Sequence, residues 1–230
     1  MHTRQNLIFD ADDTLWENNI YYEQIRETFL GLTDALGVPR AEVEKYIDDT
    51  ERKNIRLHGY GSENFVRSLK ETYRHFAADR DPLEDTLDQI HDFGPALSDF
   101  EIDFLPGVPD TLQTLHGRHR LFLLTKGAAD EQRGKVQRSN LSHLFEGVHV
   151  VAEKDPSVYE ELVQSLGLDK AHTWMIGNSP RSDINPALAA GLGAVYVPHP
   201  VTWHFEKVPV LEHSDRLITI EKFPDLLNHF

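Results

Sequence analysis

The stretch that decides the fold reads Leu7-Ile8-Phe9-Asp10-Ala11-Asp12-Asp13-Thr14-Leu15-Trp16. Its apolar beginning is typical of a buried strand in a parallel sheet, and three carboxylates follow within four positions. In open α/β sheets, ligands bind in the crevice beyond the carboxyl ends of the strands. Because neighbouring carboxylates repel one another, the cluster indicates a cation site or a carboxyl group that works as an acid. An Asp-rich turn is the alternative, since Asp favours turns and helix N-caps.

The composition is that of an ordinary globular protein. The chain has 230 residues, of which 40% are hydrophobic and 27% charged, so it suits one large domain or a domain with a second one inserted. It contains no cysteine, which excludes disulfides, thiolate nucleophiles and Cys-ligated zinc. No apolar run approaches the roughly 20 residues of a membrane helix, and the first residues lack the apolar core of a secretory signal. We therefore expect a cytoplasmic protein.

The charge balance limits the class of partner. The formal net charge is −15, because 38 acidic residues outnumber 23 lysines and arginines. Such a surface repels nucleic acids and anionic membranes, and no long Lys/Arg run offsets it. We expect neither as a partner, and an anionic substrate would need a metal ion or a few well-placed cations.

The spacing of apolar residues divides the chain into two parts. Helical periodicity and stop signals predict four consecutive helices, over about residues 20–36, 39–57, 62–76 and 82–93. Beyond residue 100 strands and helices alternate, with strands over about residues 120–124, 148–152, 173–176, 194–197 and 217–220. This alternation predicts a parallel sheet with helices on both faces, a Rossmann-like α/β core. Residues 1–16 and 101–230 would form that core domain, and residues 17–100 an inserted all-helical cap domain.

Polar residues follow four of the predicted strands. If these strands are parallel neighbours, their carboxyl ends converge on one crevice that would hold carboxylates, a hydroxyl, a lysine and a helix N-terminus. Such a set suits phosphoryl transfer. Each residue alone has an ordinary explanation, such as a helix cap or a solvated lysine. The four groups are Asp10 and Asp12, Thr125-Lys126-Gly127, Lys154, and the segment from Gly177 to Asp183.

These four ordered motifs resemble those of the haloacid-dehalogenase-like hydrolases, and within that family the phosphatases with a helical (C1-type) cap inserted after the first motif. The resemblance covers essentially the whole chain. It implies a Mg²⁺-dependent phosphatase that hydrolyses small phosphate monoesters, of the sugar phosphate or nucleotide type, through an aspartyl-phosphate intermediate. In such enzymes the cap closes over the site and reads the leaving group.

The resemblance also implies roles for the three aspartates. Asp10 would be the nucleophile that attacks phosphorus. Asp12 would be the general acid that protonates the leaving oxygen and then the base that activates water. Mg²⁺ would be bound by Asp10, the main-chain carbonyl of Asp12 and Asp183, a set of hard oxygens that suits this ion.

The remaining matching residues would bind the phosphoryl group. Thr125 and the backbone N–H groups of Lys126 and Gly127 would hold its oxygens. Lys154 would balance the negative charge of Asp10 and the phosphate.

Several positions depart from the family pattern. Position 13 is Asp where Gly is frequent, and we assign Asp13 no catalytic role. Position 178 is Asn where Asp is common. We therefore expect Asn178, like Ser182, to contact the residues that bind the metal, or to contact the metal through a water molecule. Asp155 separates Lys154 from Pro156, which are adjacent in many relatives.

Other activities remain open at this point. A phosphomutase would return the phosphoryl group from Asp10 to the substrate before water attacks. A haloacid dehalogenase would have no need of Asp12, because halide leaves without a proton. A protein that only binds phosphate compounds has no use for Asp12 beside Asp10, and an acidic interaction module predicts no perturbed carboxylates. The expected partner is a small phosphorylated metabolite, bound by a monomer or a homodimer.

Overall fold

The structure is a computed structural model that describes residues 4–77, 83–211 and 215–230. The chain divides into two compact units, Met1–Asn19 with Ile102–Phe230, and Ile20–Glu101. None of the helices in the described ranges is both long and apolar enough to span a membrane. The assignment of residues 17–100 to a cap domain stays a prediction.

The predicted helical block contains four α-helices among its described residues. The last of them continues through Pro95 and ends at Ser98, five residues beyond the expected end at residue 93. It buries Leu97 completely. The expected start of that helix at Pro82 lies outside the described residues. The apolar faces of these helices form a core of their own. The helices are α1 (Asn19–Thr33), α2 (Arg40–His58), α3 (Ser62–Ala77) and α4 (Leu83–Ser98).

The unit formed by Met1–Asn19 and Ile102–Phe230 contains one sheet, whose six described strands are all parallel, in the order β3-β2-β1-β4-β5-β6. This confirms the predicted Rossmann-like core. Chain order reverses between β1 and β4, and in such sheets the ligand crevice lies at that switch point. The strands are β1 (Asn6–Phe9), β2 (Arg120–Lys126), β3 (Gly147–Val151), β4 (Thr173–Gly177), β5 (Gly193–Tyr196) and β6 (Leu217–Thr219).

Apolar side chains cover both faces of β1, which explains its uninterrupted apolar run. Leu7 and Phe9 belong to a cluster that includes residues of a helix on one face, α5 (Val108–His116). Ile8 belongs to a second cluster, which includes residues of the helix Pro156–Leu166 on the other face. The remaining helices of this unit are α6 (Ala129–Arg138), α7 (Pro156–Leu166) and α8 (Asn185–Ala189).

The helix expected over residues 181–190 is interrupted. A wide, π-type turn spans Pro180–Ile184, and the short helix α8 follows it. The turn widens because the carbonyl of Ser179 accepts hydrogen bonds from the N–H groups of both Asp183 and Ile184, at 2.9 and 3.1 Å. Turns of this kind are frequent at functional sites.

One buried carboxyl in α2 makes the stability of the helical unit dependent on pH. Glu51 is 7% exposed, and its Oε2 has no hydrogen-bond partner within the described residues. Burial raises the pKa of Glu51 from 4.5 to about 7. Between these values the folded state keeps a proton that the unfolded state has lost, so the free energy of unfolding falls as pH rises from about 4.5 to about 7.

We therefore expect Glu51→Gln to stabilise the protein by roughly 2–3 kcal/mol at about pH 8, because the amide carries no charge to desolvate. The gain should vanish near pH 4.5. Urea denaturation of wild type and variant across this pH range measures it, with the exposed Asp49→Asn on the same helix as a control. A pH-independent difference would contradict the account.

Candidate active site

A buried lysine joins two carboxylates at the switch point of the sheet. Lys154 Nζ lies 2.5 Å from Asp10 Oδ1 and 2.8 Å from Asp183 Oδ1. Asp10 follows β1, Lys154 follows β3 and Asp183 follows β4. Each of the three residues is less than a tenth exposed. The structure thus brings together three of the residues that the sequence motifs singled out.

The two carboxylates outnumber the single ammonium group between them. Burial and the charge of Asp10 raise the pKa of Asp183 to about 7, although Lys154 acts in the opposite direction. Burial alone would lower the pKa of Lys154, but the carboxylates of Asp10 and Asp183 outweigh it and raise that pKa above its ordinary value. Two buried carboxylates thus share one ammonium group in this site. Oxygen donors in such a setting fit a hard divalent cation.

Asp10 is held at both of its oxygens. The hydroxyl of Thr14 donates to Asp10 Oδ2 at 2.8 Å, while Lys154 holds Oδ1. The backbone N–H of Asn178 donates in turn to Thr14 Oγ1 at 3.1 Å, and its side-chain amide donates to Thr202 at 3.2 Å. Asn178 thus holds the hydroxyl of Thr14 in place, and this hydroxyl in turn orients the carboxylate of Asp10.

Asp183 owes its position to a close approach and a hydrogen bond. The backbone N–H of Ser179 donates to Asp183 Oδ2 at 3.0 Å. A Cβ on Gly177 would lie only 2.6 Å from the Cβ of Asp183, so any side chain at position 177 would displace the carboxylate. The turn around Asp183 therefore requires glycine at the end of β4.

The residue between Lys154 and Pro156 has a structural use. Asp155 is the N-cap of α7, and its carboxylate accepts the N–H groups of Ser157 and Val158 at 2.9 and 3.1 Å. Lys154 reaches the site directly before this cap, so the departure from the usual spacing leaves the lysine in place.

The carboxylate of Asp12 lies apart from this centre and faces α6. It accepts hydrogen bonds from Trp16 Nε1 at 2.8 Å, from Gln132 Nε2 at 2.9 Å and from Lys135 Nζ at 3.0 Å. Lys135 is only 1% exposed and also contacts Asn18 Oδ1 at 2.7 Å. The sequence analysis missed Gln132 and Lys135. The sequence indicates only that they are three residues apart on the helix after Thr125, and so lie on the same helix face. Polar residues on a helix are usually exposed to solvent, so this spacing does not predict a buried contact with Asp12.

The residues at the end of β2 use polar groups that the motif assigns to phosphate in contacts within the protein. The hydroxyl of Thr125 donates to Gln132 Oε1 at 3.1 Å, which links Thr125 through Gln132 to Asp12. The backbone N–H of Gly127, expected to hold phosphate, donates instead to the carbonyl of Val151 at 3.1 Å. That donor is thus engaged within the protein in this structure, and the assignment of Gly127 to phosphate binding stays a prediction.

The side chain of Lys126 belongs to another buried cluster. Its Nζ donates to Glu206 Oε1 at 2.7 Å and to Ser182 Oγ at 2.9 Å, and it lies 3.2 Å from Glu153. Burial works to raise the pKa of Glu206, but Lys126 and two serine hydroxyls outweigh it and lower that pKa. The sequence analysis missed Glu206, for which no motif gives a signal.

Asp13 shapes the turn after β1. Its backbone has φ +58°, a conformation in which glycine is favoured. Its Oδ1 accepts the N–H groups of Asn18 and Asn19, both at 2.9 Å. Burial, with smaller contributions from the charges of Asp12 and Asp10, raises the pKa of Asp13 to about 7.

Two further ligand-type side chains lie near Asp13. His199 Nε2 is 3.2 Å from Glu17 Oε2, and His199 Nδ1 is 3.9 Å from Asp13 Oδ1. The three groups could reach a single ion, since their ligand atoms lie within 4.8 Å of one another. Glu17 Oε2 is buried and makes no hydrogen bond within the described residues.

The chain is similar to named enzymes over most of its length. It is 26% identical over 199 residues to glyceraldehyde 3-phosphate phosphatase of Methanothermobacter thermautotrophicus, which covers 83% of this chain and 84% of that protein. It is also 26% identical over 230 residues to a pyrimidine 5'-nucleotidase of Streptococcus pneumoniae, covering 94% of both. A haloacid dehalogenase-like family hydrolase of Xanthomonas campestris has a crystal structure that matches with a TM-score of 0.85 at 26% identity, covering 98% of this chain and 91% of that one.

The family assignment follows from the site and from these likenesses together. The strand ends carry the expected residues in the expected order, and the parallel sheet brings Asp10, Lys154 and Asp183 into contact. The family model of the haloacid dehalogenase-like hydrolases matches residues 5–191. The protein therefore belongs to the haloacid dehalogenase-like hydrolase family.

Proposed function

We propose that this hydrolase is a Mg²⁺-dependent phosphatase that acts on small phosphate monoesters through an aspartyl-phosphate. The observation that carries the proposal is the contact of Lys154 with both Asp10 and Asp183 at the switch point of the sheet. The names of two relatives, a glyceraldehyde 3-phosphate phosphatase and a pyrimidine 5'-nucleotidase, support the reaction and the sugar phosphate or nucleotide type of substrate. A cytoplasmic location and a monomeric or dimeric state stay predictions.

Asp10 is the nucleophile in this proposal. One of its carboxylate oxygens forms a bond to phosphorus while the bond from phosphorus to the ester oxygen breaks. Thr14 and Lys154 fix the carboxylate for this attack, and the ammonium group offsets part of the charge that the phosphate brings. Water then attacks the aspartyl-phosphate, which releases phosphate and restores Asp10.

Asp12 is the acid and base. It gives a proton to the leaving ester oxygen, and its carboxylate then takes a proton from the attacking water. In the structure Gln132 and Lys135 hold both of its oxygens, so Asp12 would exchange one of these contacts for the leaving ester oxygen. An alkoxide needs such a proton and a halide does not, so Asp12 favours phosphate esters over haloacids.

The metal ion would be held by Asp10 and Asp183, with the main-chain carbonyl of Asp12. When bound, Mg²⁺ would neutralise charge on the phosphoryl oxygens and orient them. Thr125 and the backbone N–H of Lys126 remain the proposed phosphate contacts at the end of β2.

We expect Asp10→Asn to lower the turnover of p-nitrophenyl phosphate to less than about a thousandth of the wild-type rate, because an amide is a poor nucleophile. Release of nitrophenol in the presence of Mg²⁺ measures it, with the exposed Asp130→Asn as a control for the lost charge. Activity of Asp10→Asn near that of wild type would overturn the nucleophile assignment.

We expect Asp12→Asn to slow aspartyl-phosphate formation from an alkyl phosphate by about 10²–10⁴-fold, and that from p-nitrophenyl phosphate by much less. The reason is that nitrophenolate leaves readily without a proton. Single-turnover phosphorylation with each substrate isolates this step. Equal losses with both substrates would argue against the acid role.

We expect Lys154→Met to lower the free energy of unfolding by about 3–5 kcal/mol in the presence of a chelator, because it leaves two buried carboxylates uncompensated. Mg²⁺ should stabilise this variant against urea by binding its folded state. Lys170→Met, which removes an exposed lysine beside Glu160, serves as the control and should cost at most about 1 kcal/mol. Wild-type stability of Lys154→Met without metal would contradict the proposed centre.

A further inference from the structure

Glu206 is a buried carboxylate that none of the four motifs includes. It lies in the short turn His204–Glu206, beyond β5, and is 7% exposed. Three side chains donate to it: Lys126 Nζ at 2.7 Å, Ser179 Oγ at 2.5 Å and Ser182 Oγ at 2.5 Å. Burying a carboxylate is costly unless its charge and lone pairs are satisfied, and here both are.

Two of these donors belong to the segment that carries Asp183. Ser179 Oγ donates to Glu206 and accepts the backbone N–H of Ser182 at 2.9 Å. The backbone N–H of the same Ser179 donates to Asp183 Oδ2. The side chain of Ser179 is therefore held by Glu206, while the backbone N–H of Ser179 holds Asp183.

The third donor connects this segment to the other side of the site. Lys126 directly follows Thr125 at the end of β2, whereas Ser179 and Ser182 follow β4. In the sheet, β1 lies between those two strands. Glu206 thus ties together the two strand ends that flank Asp10. The turn that carries Glu206 is also linked to the segment after β4 by a hydrogen bond from Arg181 Nη1 to the carbonyl of Phe205, at 3.2 Å.

We propose that Glu206 is a positioning residue for the metal site, which holds Asp183 in its binding geometry through Ser179 and Ser182. The inference rests on the proposed function, because it assigns Asp183 to a divalent cation. Glu206 touches neither Asp10 nor Asp183 among the contacts described, so its action is indirect. Partners that orient metal ligands in this way typically contribute roughly 10–100-fold to metal affinity.

The alternative is that Glu206 serves the fold only, as a counter-charge for Lys126. Glu153 offers a matched comparison, because its carboxylate also pairs with Lys126, at 3.2 Å, and its side chain is 43% exposed. If neutralising Lys126 were the whole role, both carboxylates would affect stability and neither would affect the affinity of the folded protein for metal.

The test is direct binding of Mn²⁺, a spectroscopic substitute for Mg²⁺, followed by the electron paramagnetic resonance signal of the free ion. We expect Glu206→Ala to weaken binding about 10–100-fold. Glu206→Gln, which keeps one acceptor oxygen for a serine, should lose less. Glu153→Gln should stay within about twofold of wild type. In Mg²⁺-dependent turnover, Glu206→Ala should need more metal for half-maximal rate and should regain most of its turnover at saturating metal.

The outcomes separate this inference from the proposed function. If the wild-type protein binds no Mn²⁺, or if Asp183→Asn binds it as tightly as the wild type does, the proposed metal site is wrong, and the proposed function with it. Binding that Asp183→Asn abolishes but Glu206→Ala leaves within twofold of wild type would overturn the positioning role alone. If Glu206→Ala fails to fold, Glu206→Gln and Ser179→Ala decide, and unchanged Mn²⁺ affinity in both would overturn it.

Discussion

The buried ammonium group of Lys154 between Asp10 and Asp183 is the interaction on which the rest of this site depends. Charges so deeply buried are tolerated only when their partners are held in good geometry, because desolvation costs several kcal/mol for each ion. The three groups come from three different strand ends, so this geometry exists only when the parallel sheet is complete. The central position of β1 is thus a requirement of the chemistry as well as of the core.

The local backbone around this centre is adapted to it. Gly177 is needed because Asp183 approaches its Cα too closely for any side chain. Asp13 adopts a positive φ, and its carboxylate secures the chain that leaves the site by accepting two backbone N–H groups. The widened turn at Pro180–Ile184 interrupts what would otherwise be a regular helix. In each case the chain departs from regular structure where it passes the carboxylates.

The sequence predicted the parallel core because the alternation of strand and helix patterns carries that information. It brought Asp10, Lys154 and Asp183 together only on the condition that their strands are neighbours, and through the resemblance of the four motifs to a known family. It could not predict the partners of Asp12, since Lys135 lies inside a helix whose pattern gives no reason to bury a lysine. Glu206 was missed for a different reason. It follows β5 in an irregular segment whose path depends on tertiary hydrogen bonds to Lys126 and two serines, and periodicity says nothing about such a path.

Three buried or nearly buried lysines follow one pattern, in which each lies between two carboxylates. Lys154 contacts Asp10 and Asp183, Lys126 contacts Glu206 and Glu153, and Lys135 contacts Asp12 and Glu131. Carboxylates thus outnumber ammonium groups two to one in this set, on a chain that already carries −15. At short range in a low dielectric, such an excess repels a phosphate dianion strongly. Each of these lysines already pairs with carboxylates, so it can offset only part of the charge that a phosphate monoester would bring. This shortfall is the physical reason to propose a divalent metal ion beside Asp10 and Asp183.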